Sequence, residues 1–184
     1  MEIYDWVKEN WITALVILLV ILLVIMVAVW QIMFTHTIEV HSGGWSTGAI
    51  PPKVIVDGVE LALPYSRGIN VAQIGGDGKL VEFKTFDTYG NFNAVINTLA
   101  YLKDGISPDA TYIAMLVFDE ATNQKRSPGG VDLYKKLDKY FPSFSKLVYR
   151  GNYAIIKRVI PFNGVWNATY GMTDKNGVRI STKI

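Results

Sequence analysis

Few side chains in this sequence are equipped for covalent or acid–base chemistry. There is no cysteine, which removes thiolate nucleophiles and cysteine-based metal sites. The two histidines, His36 and His41, share one short segment. No third ligand is in view for zinc, and no serine–carboxylate pair is placed beside either of them. Asp87, Asp119 and Glu120 are the carboxylates that could form an acid/base pair or hold a metal, but nothing in their spacing brings them together. Gly78-Lys79 invites comparison with a phosphate loop. Leu80 stands where the Ser/Thr ligand belongs, and a strand pattern follows instead of a helix, so the segment reads as a turn. What remains suits binding. Arg67, Asn70, Asp87, Tyr89, Tyr149 and Arg150 supply guanidinium forks, an amide, a carboxylate and aromatic rings. Such groups either cradle a hydroxyl-rich sugar or pair with one another to fix strand ends. No catalytic, cofactor or metal site is expected, and no nucleic-acid partner.

Charge is unevenly spread over the 184 residues, which sum to +2. Residues 35–124 carry five Lys/Arg against ten Asp/Glu, and residues 125–184 carry twelve against three. A basic half of this kind is either one solvated face or a docking surface for an anionic partner. Lys135, Lys136 and Lys139, beside an apolar stripe at helical spacing, are its candidate docking residues, within the basic run 125–158.

The elements that must position these groups are legible from periodicity and turn residues. Residues 35–52, with three glycines and Pro51-Pro52, read as a stalk, in which Thr37–His41 could add an edge strand. In residues 53–63, two β-rich runs flank Asp57-Gly58, a hairpin signal because a type I′ turn needs positive φ at both corners. A second strand pair, 67–74 and 79–86, flanks Gly75-Gly76-Asp77-Gly78. Residues 91–105 show Phe92, Val95, Ile96, Leu99 and Leu102 on one helical stripe, with Asn91 as a cap and Gly105 as a stop. Thr111–Phe118 is a nearly continuous apolar run, as in a strand buried on both faces. Leu133, Tyr134, Leu137 and Phe141 predict a second helix, ended by Pro142. Residues 146–150 and 152–160 read as strands on either side of Gly151, and 161–184 as a hairpin or arm with Asn176-Gly177 at its turn.

Four short motifs appear in this order: Arg67-Gly68-Ile69-Asn70-Val71, Phe86-Asp87-Thr88-Tyr89, Phe118-Asp119-Glu120-Ala121 and Tyr149-Arg150-Gly151-Asn152-Tyr153-Ala154. With a helix after the second and another after the third, residues 53–160 resemble the interleukin-like EMT inducer (ILEI) domain. The resemblance implies a compact β-sandwich-like domain with packed helices, a binding module without catalytic apparatus. In one relative, the stem of an O-mannose N-acetylglucosaminyltransferase, it implies binding of β-linked N-acetylglucosamine. The sequence departs from the animal pattern by lacking its paired cysteines; a valine near Val56 stands where one would be expected. Independently of the family, Gly68 and Gly151 each follow an arginine at a strand entrance, where positive φ or close backbone approach is expected.

One stretch lies outside that pattern. Residues 11–34 run WITALVILLVILLVIMVAVWQIMF, with Thr13 the only polar side chain between Ile12 and Val29. About 20 apolar residues at 1.5 Å each match a bilayer core of ~30 Å. The acidic flank and the absence of a small-residue cleavage site distinguish it from a signal peptide. The expected organisation is therefore α+β: a short interfacial segment 1–10, a transmembrane helix over Trp11–Phe34, a stalk over 35–52, the ILEI-like domain over 53–160 and an arm over 161–184. Two functions fit. In the first, the chain tethers a bilayer to an adjacent protein layer such as a capsid shell, as a minor capsid or membrane protein in a virion with an internal membrane. In the second, it is a glycan- or receptor-binding ectodomain on a cell or endomembrane surface, where the acceptor sequon at Asn167 would be usable.

Overall fold

A computed structural model describes residues 10–33, 35–44, 50–91, 93–122, 130–159, 168–173 and 177–183. The chain divides into two units, Met1–Thr35 and His36–Ile184. The first contains α1, Trp11–Met33, a 23-residue helix with no acidic residue in its first turn and no basic residue in its last. Large apolar side chains along it are exposed on every side. Among the described residues no helix is long and apolar enough to cross a membrane. The unbroken run of described side chains on α1 covers residues 11–27. The membrane span expected from the sequence thus goes beyond what the described residues show.

Among its described residues the second unit holds nine strands and two short helices. They are β1 (Thr37–Gly44), β2 (Lys53–Val56), β3 (Val59–Glu60), β4 (Gly68–Gly75), β5 (Leu80–Phe86), α2 (Asn93–Asp104), β6 (Ala110–Asp119), α3 (Gly130–Lys135), β7 (Asn152–Arg158), β8 (Ala168–Thr173) and β9 (Val178–Lys183). Two 3-10 turns, Lys136–Lys139 and Phe144–Lys146, follow α3. One antiparallel sheet runs β3-β2-β1-β9 and the other β5-β4-β6-β7-β8. They join where Gly43 and Gly44 of β1 lie parallel to Phe118 and Asp119 of β6.

The period-2 alternation of side chains sends alternate residues of the second sheet to two different cores. Ala72, Ile74, Ala114, Leu116, Ala154 and Ile156 meet Ile38, Val40, Val54, Val56, Val178 and Ile180 of the first sheet. Ile69, Val71, Ile113, Met115, Val117, Tyr153 and Ile155 face the other way, onto Val95 and Leu102 of α2 and onto Tyr134, Leu137, Phe141 and Phe144. The result is a sandwich with helices on one outer face, an α+β domain. The double-sided burial read from Thr111–Phe118 is that of β6 at the centre.

The two turn assignments hold. Asp57 and Gly58 have φ of 51° and 79° between Val56 and Val59, and Gly78 has φ of 75° between β4 and β5. Elsewhere the structure differs. The segment expected as a stalk contains β1, which pairs with β2, β9 and β6. The folded unit therefore begins at His36, not at residue 53. Only Ile38 and Val40 give β1 an apolar alternation. Ser42 is buried by bonding: its hydroxyl donates to Val117 O at 2.6 Å and accepts from Tyr153 N. On α2, Ile96 is exposed, while Ala94, Val95, Thr98 and Leu102 are buried. Thr98 can turn inward because its hydroxyl donates back to Ala94 O at 2.7 Å. Residues 146–150 are not a strand. They complete a 3-10 turn and a tight loop in which Arg150 takes φ of 61°, incompatible with extended backbone. The second helix stops at Lys135 and tightens to 3-10. Where a hairpin or arm was expected, the described residues of the tail join both sheets: β8 adds to β7, and β9 adds to β1 in the other sheet. Phe92 and Asn167 lie outside the described residues.

Candidate functional site

Antiparallel alternation places the start of β4, the end of β5, the end of β6 and the start of β7 at one edge of the larger sheet. The register confirms this: Ile69 lies opposite Phe86, Gly68 opposite Phe118, and Leu116 opposite Ala154. These four strand ends carry the four motifs. Residues separated by tens of positions in sequence are thus brought to a common edge, which the spacing alone could not show.

The motifs divide into a buried frame and a partly exposed strip. In the frame, Gly68 has φ of 101°, and a Cβ there would lie 2.1 Å from Phe86 O. Asn70 is buried; its amide nitrogen donates to Ser66 O at 2.8 Å and its oxygen accepts from Ser66 N at 3.0 Å, closing the loop before β4. Thr88 Oγ1 donates to Ala121 O at 2.8 Å, and the hydroxyl of Tyr134 donates to Thr88 O, which ties the second motif to the third and to α3. Glu120 is 4% exposed. Its carboxylate accepts from Thr122 N at 2.9 Å and from Arg150 N at 2.5 Å. Burial pushes its pKa up, while these donors pull it down. Gly151 has no room for a side chain beside Leu147 and Val148 O.

In the strip, Arg67 donates from Nε to Asp87 Oδ1 at 2.9 Å and from Nη2 to Oδ2 at 2.6 Å, a bidentate pair. This partner holds the Asp87 carboxyl below its ordinary range and the Arg67 guanidinium above its own, and Gly90 N adds a 2.8 Å bond to Asp87. Gly90 leaves room for this arrangement of the pair, since a Cβ would stand 2.3 Å from Arg67 Nη2 and 2.5 Å from Asp87 Oδ2 and would push these side-chain ends aside. The guanidinium of Arg67 lies 5.1 Å from the Tyr89 ring centre, Tyr89 lies 6.3 Å from Tyr149, and Arg150 lies 5.1 Å over Tyr149. Tyr149 is 59% exposed. Asp119 is half-buried at the end of β6 and acts electrostatically on Arg67. Asp119 and Arg150 both have φ of 61°, a conformation that L side chains rarely adopt and that concentrates at ligand clamps. Gly90, Thr88 and Thr122 were not singled out from the sequence. Gly90 follows the second motif directly, and only its contact with the ion pair reveals its role.

A model of the interleukin-like EMT inducer family matches residues 67–159. The chain belongs to this family. The match runs from the first arginine of the strip to the residue after β7, so it covers all four motifs and both helices of the domain. Strands β1 to β3, β8 and β9 lie outside it. No curated protein matches the chain.

The candidate docking lysines behave differently from one another. Lys135, Lys136 and Lys139 are exposed. Lys135 Nζ donates to Asp132 Oδ1 at 3.2 Å, and Lys139 lies over the Tyr140 ring at 5.5 Å. Lys157, counted from sequence in the same basic run, is buried. Its Nζ donates to Tyr140 O at 3.1 Å, and burial together with Lys139 lowers its pKa to about 8. The basic run is therefore not one solvated surface. Among the described residues no group of three or more His, Asp or Glu side chains is placed to hold a metal ion.

Proposed function

We propose that this protein is a non-enzymatic, membrane-anchored binding module that presents the Arg67–Tyr89–Tyr149–Arg150 strip to a hydroxyl-rich ligand, a glycan. The observation that supports this reading is the division of the motifs. Their buried members are saturated by backbone bonds, whereas the residues they hold in place are an exposed ring and guanidinium, Tyr149 and Arg67, and a half-buried ring, guanidinium and carboxylate, Tyr89, Arg150 and Asp87. Rings offer a face to the C–H surface of a sugar, and the Arg67–Asp87 pair offers donors and acceptors to its hydroxyls. In this reading the apolar run of residues 11–34 supplies the anchor, and what supports it is the sequence: Thr13 is the only polar side chain between Ile12 and Val29. Binding of the full chain, kept in detergent, to immobilised neutral glycans including β-linked N-acetylglucosamine tests the reading. Tyr149→Ala and Arg150→Ala should each weaken retention about tenfold with little change in melting temperature, the size expected for losing one stacked ring or charged hydrogen bond. Retention unaltered by both substitutions, or no retention of any glycan, would remove the strip as a binding surface.

A second reading is a tether between a bilayer, in a virion or an endomembrane, and a protein layer such as a capsid shell. The exposed Lys135, Lys136 and Lys139 favour it, because surface lysines steer association with an anionic partner.

A further inference from the structure

Two residues of the strip, Tyr149 and Arg150, sit on a loop whose shape depends on a buried carboxylate. Arg150 takes φ of 61°, a region that residues with a side chain keep only while their surroundings enforce it. The loop is closed from several sides. Gly151 N donates to Val148 O at 2.9 Å, and Arg150 N donates to Glu120 Oε2 at 2.5 Å. The Thr122 hydroxyl is shared between Val148 O at 3.4 Å and Glu120 Oε1 at 3.2 Å. The Arg150 bond is the shortest of these, and it ends on a titratable group.

Glu120 is too buried to reach a ligand itself, and it acts through the Arg150 backbone. The groups that face its carboxylate are the donors of Thr122, Ala121 and Arg150. The charged side chains on the elements around it are Asp119, one residue before it, Arg150 on the loop, and the Arg67–Asp87 pair. That pair belongs to the segment tied to Ala121 through Thr88. Burial holds the Glu120 pKa above 4.5 against the pull of its donors. A proton on Oε2 removes the acceptor of Arg150 N. A proton on Oε1 leaves that acceptor but takes away its charge, and a charge-assisted bond is about twice as strong as a neutral one. In both cases the bond that enforces the loop is lost or weakened.

We infer that Glu120 is the positioning residue of the strip and makes it release ligand in acid: its carboxylate holds Tyr149 and Arg150 in place, and its protonated form lets them go. What is released rests on the glycan reading. Coupling is reciprocal, so a ligand that needs the held loop must also lower the pKa of Glu120. The other half of the strip is not the sensor, because Arg67 keeps Asp87 ionised down to pH 3.8 and below.

The test follows the full chain in detergent from neutral pH to 4.5, by amide-resolved NMR and by retention on immobilised β-linked N-acetylglucosamine. At neutral pH the Arg150 amide proton should lie far downfield, against the carboxylate. It should move upfield with a midpoint above 4.5, while the amide of Met115, buried in β6, stays in place. Saturating glycan should lower that midpoint. More than half of Glu120 is protonated at pH 4.5, so retention there should be at least about twofold weaker than at neutral pH. Glu120→Gln should retain glycan weakly and equally across the interval. If that variant does not fold, the wild-type midpoint and its displacement by glycan decide alone. An Arg150 amide that does not titrate above 4.5, a midpoint that bound glycan leaves unmoved, or retention constant with pH would overturn the proposal. So would a folded Glu120→Gln with the pH profile of wild type. Titration of the Arg150 amide with no glycan retained at any pH would remove the glycan reading and support the hold of Glu120 on the loop.

Discussion

At Glu120, burial and hydrogen bonding act in opposite directions. Both carboxylate oxygens face N–H donors, and the side chain is nearly inaccessible. Glu120→Gln keeps the shape but turns an NH2 toward one of those donors. It should cost about 1–3 kcal/mol of stability, the range for a buried polar group left unsatisfied, measured by urea unfolding at neutral pH. The pH dependence is a second check. The pKa of Glu120 is raised in the fold above its ordinary 4.5. Its contribution is therefore present below that value and is lost as pH rises through the raised one. Asp87 has the opposite sign: Arg67 lowers its pKa below 3.8, so its contribution is present above 3.8 and is lost as pH falls. Because the Arg67–Asp87 pair is about two-fifths exposed, that contribution stays under ~1 kcal/mol. Asp87→Asn should flatten the acid side of the stability–pH curve, and Glu120→Gln should remove the decline above pH 4.5. Curves indistinguishable from wild type would mean that neither carboxylate senses the fold in this way.

The glycines distinguish elements that support the strip from elements that shape it. Gly68→Ala would place a methyl against the backbone oxygen of Phe86, with φ of 101° besides, so it should cost more than ~2 kcal/mol and lower expression of folded protein. Gly90→Ala meets only side-chain ends, those of Arg67 and Asp87, which can move. Its expected effect is loss of ligand binding with most of the stability kept, read by melting temperature alongside glycan retention. The turns, the central strand β6 and helix α2 were legible because local chemistry decides them: positive φ at Asp57-Gly58, nearly continuous apolar character in 111–118, a cap at Asn91. The roles of β1, β8 and β9 were not, since each is stabilised by partners far away in sequence. Ser42 is buried by a bond to Val117, and β9 is defined by β1. For the same reason the four motifs could be quoted from the sequence while their convergence could not. It depends on which strand ends share an edge, and the buried role of Glu120 depends on the loop at Arg150.

For the molecule as a whole, the boundary at His36 and the helix before it can be separated by two fragments. A fragment of residues 53–160, the extent of the family-like pattern in the sequence, lacks β1, β8 and β9. The inter-sheet core then loses Ile38, Val40, Val178 and Ile180, each worth about 1.5–3 kcal/mol when fully buried, against a total stability of order 5–15 kcal/mol. That fragment should show no cooperative unfolding, whereas residues 36–184 should. The same longer fragment tests the anchor. Without α1 it carries a net charge of +4 and its own two cores, so it should stay soluble and monodisperse without detergent. The full chain should instead sediment with membranes, resist extraction by alkaline carbonate and be released by detergent. Side chains such as Leu18, Leu22, Ile25 and Met26 are about half exposed on α1, and water is an unfavourable surrounding for so much apolar surface. Release of the full chain by carbonate would show that α1 lies on a surface or against a partner and does not span the bilayer, and the anchor would then have to be replaced by a peripheral contact.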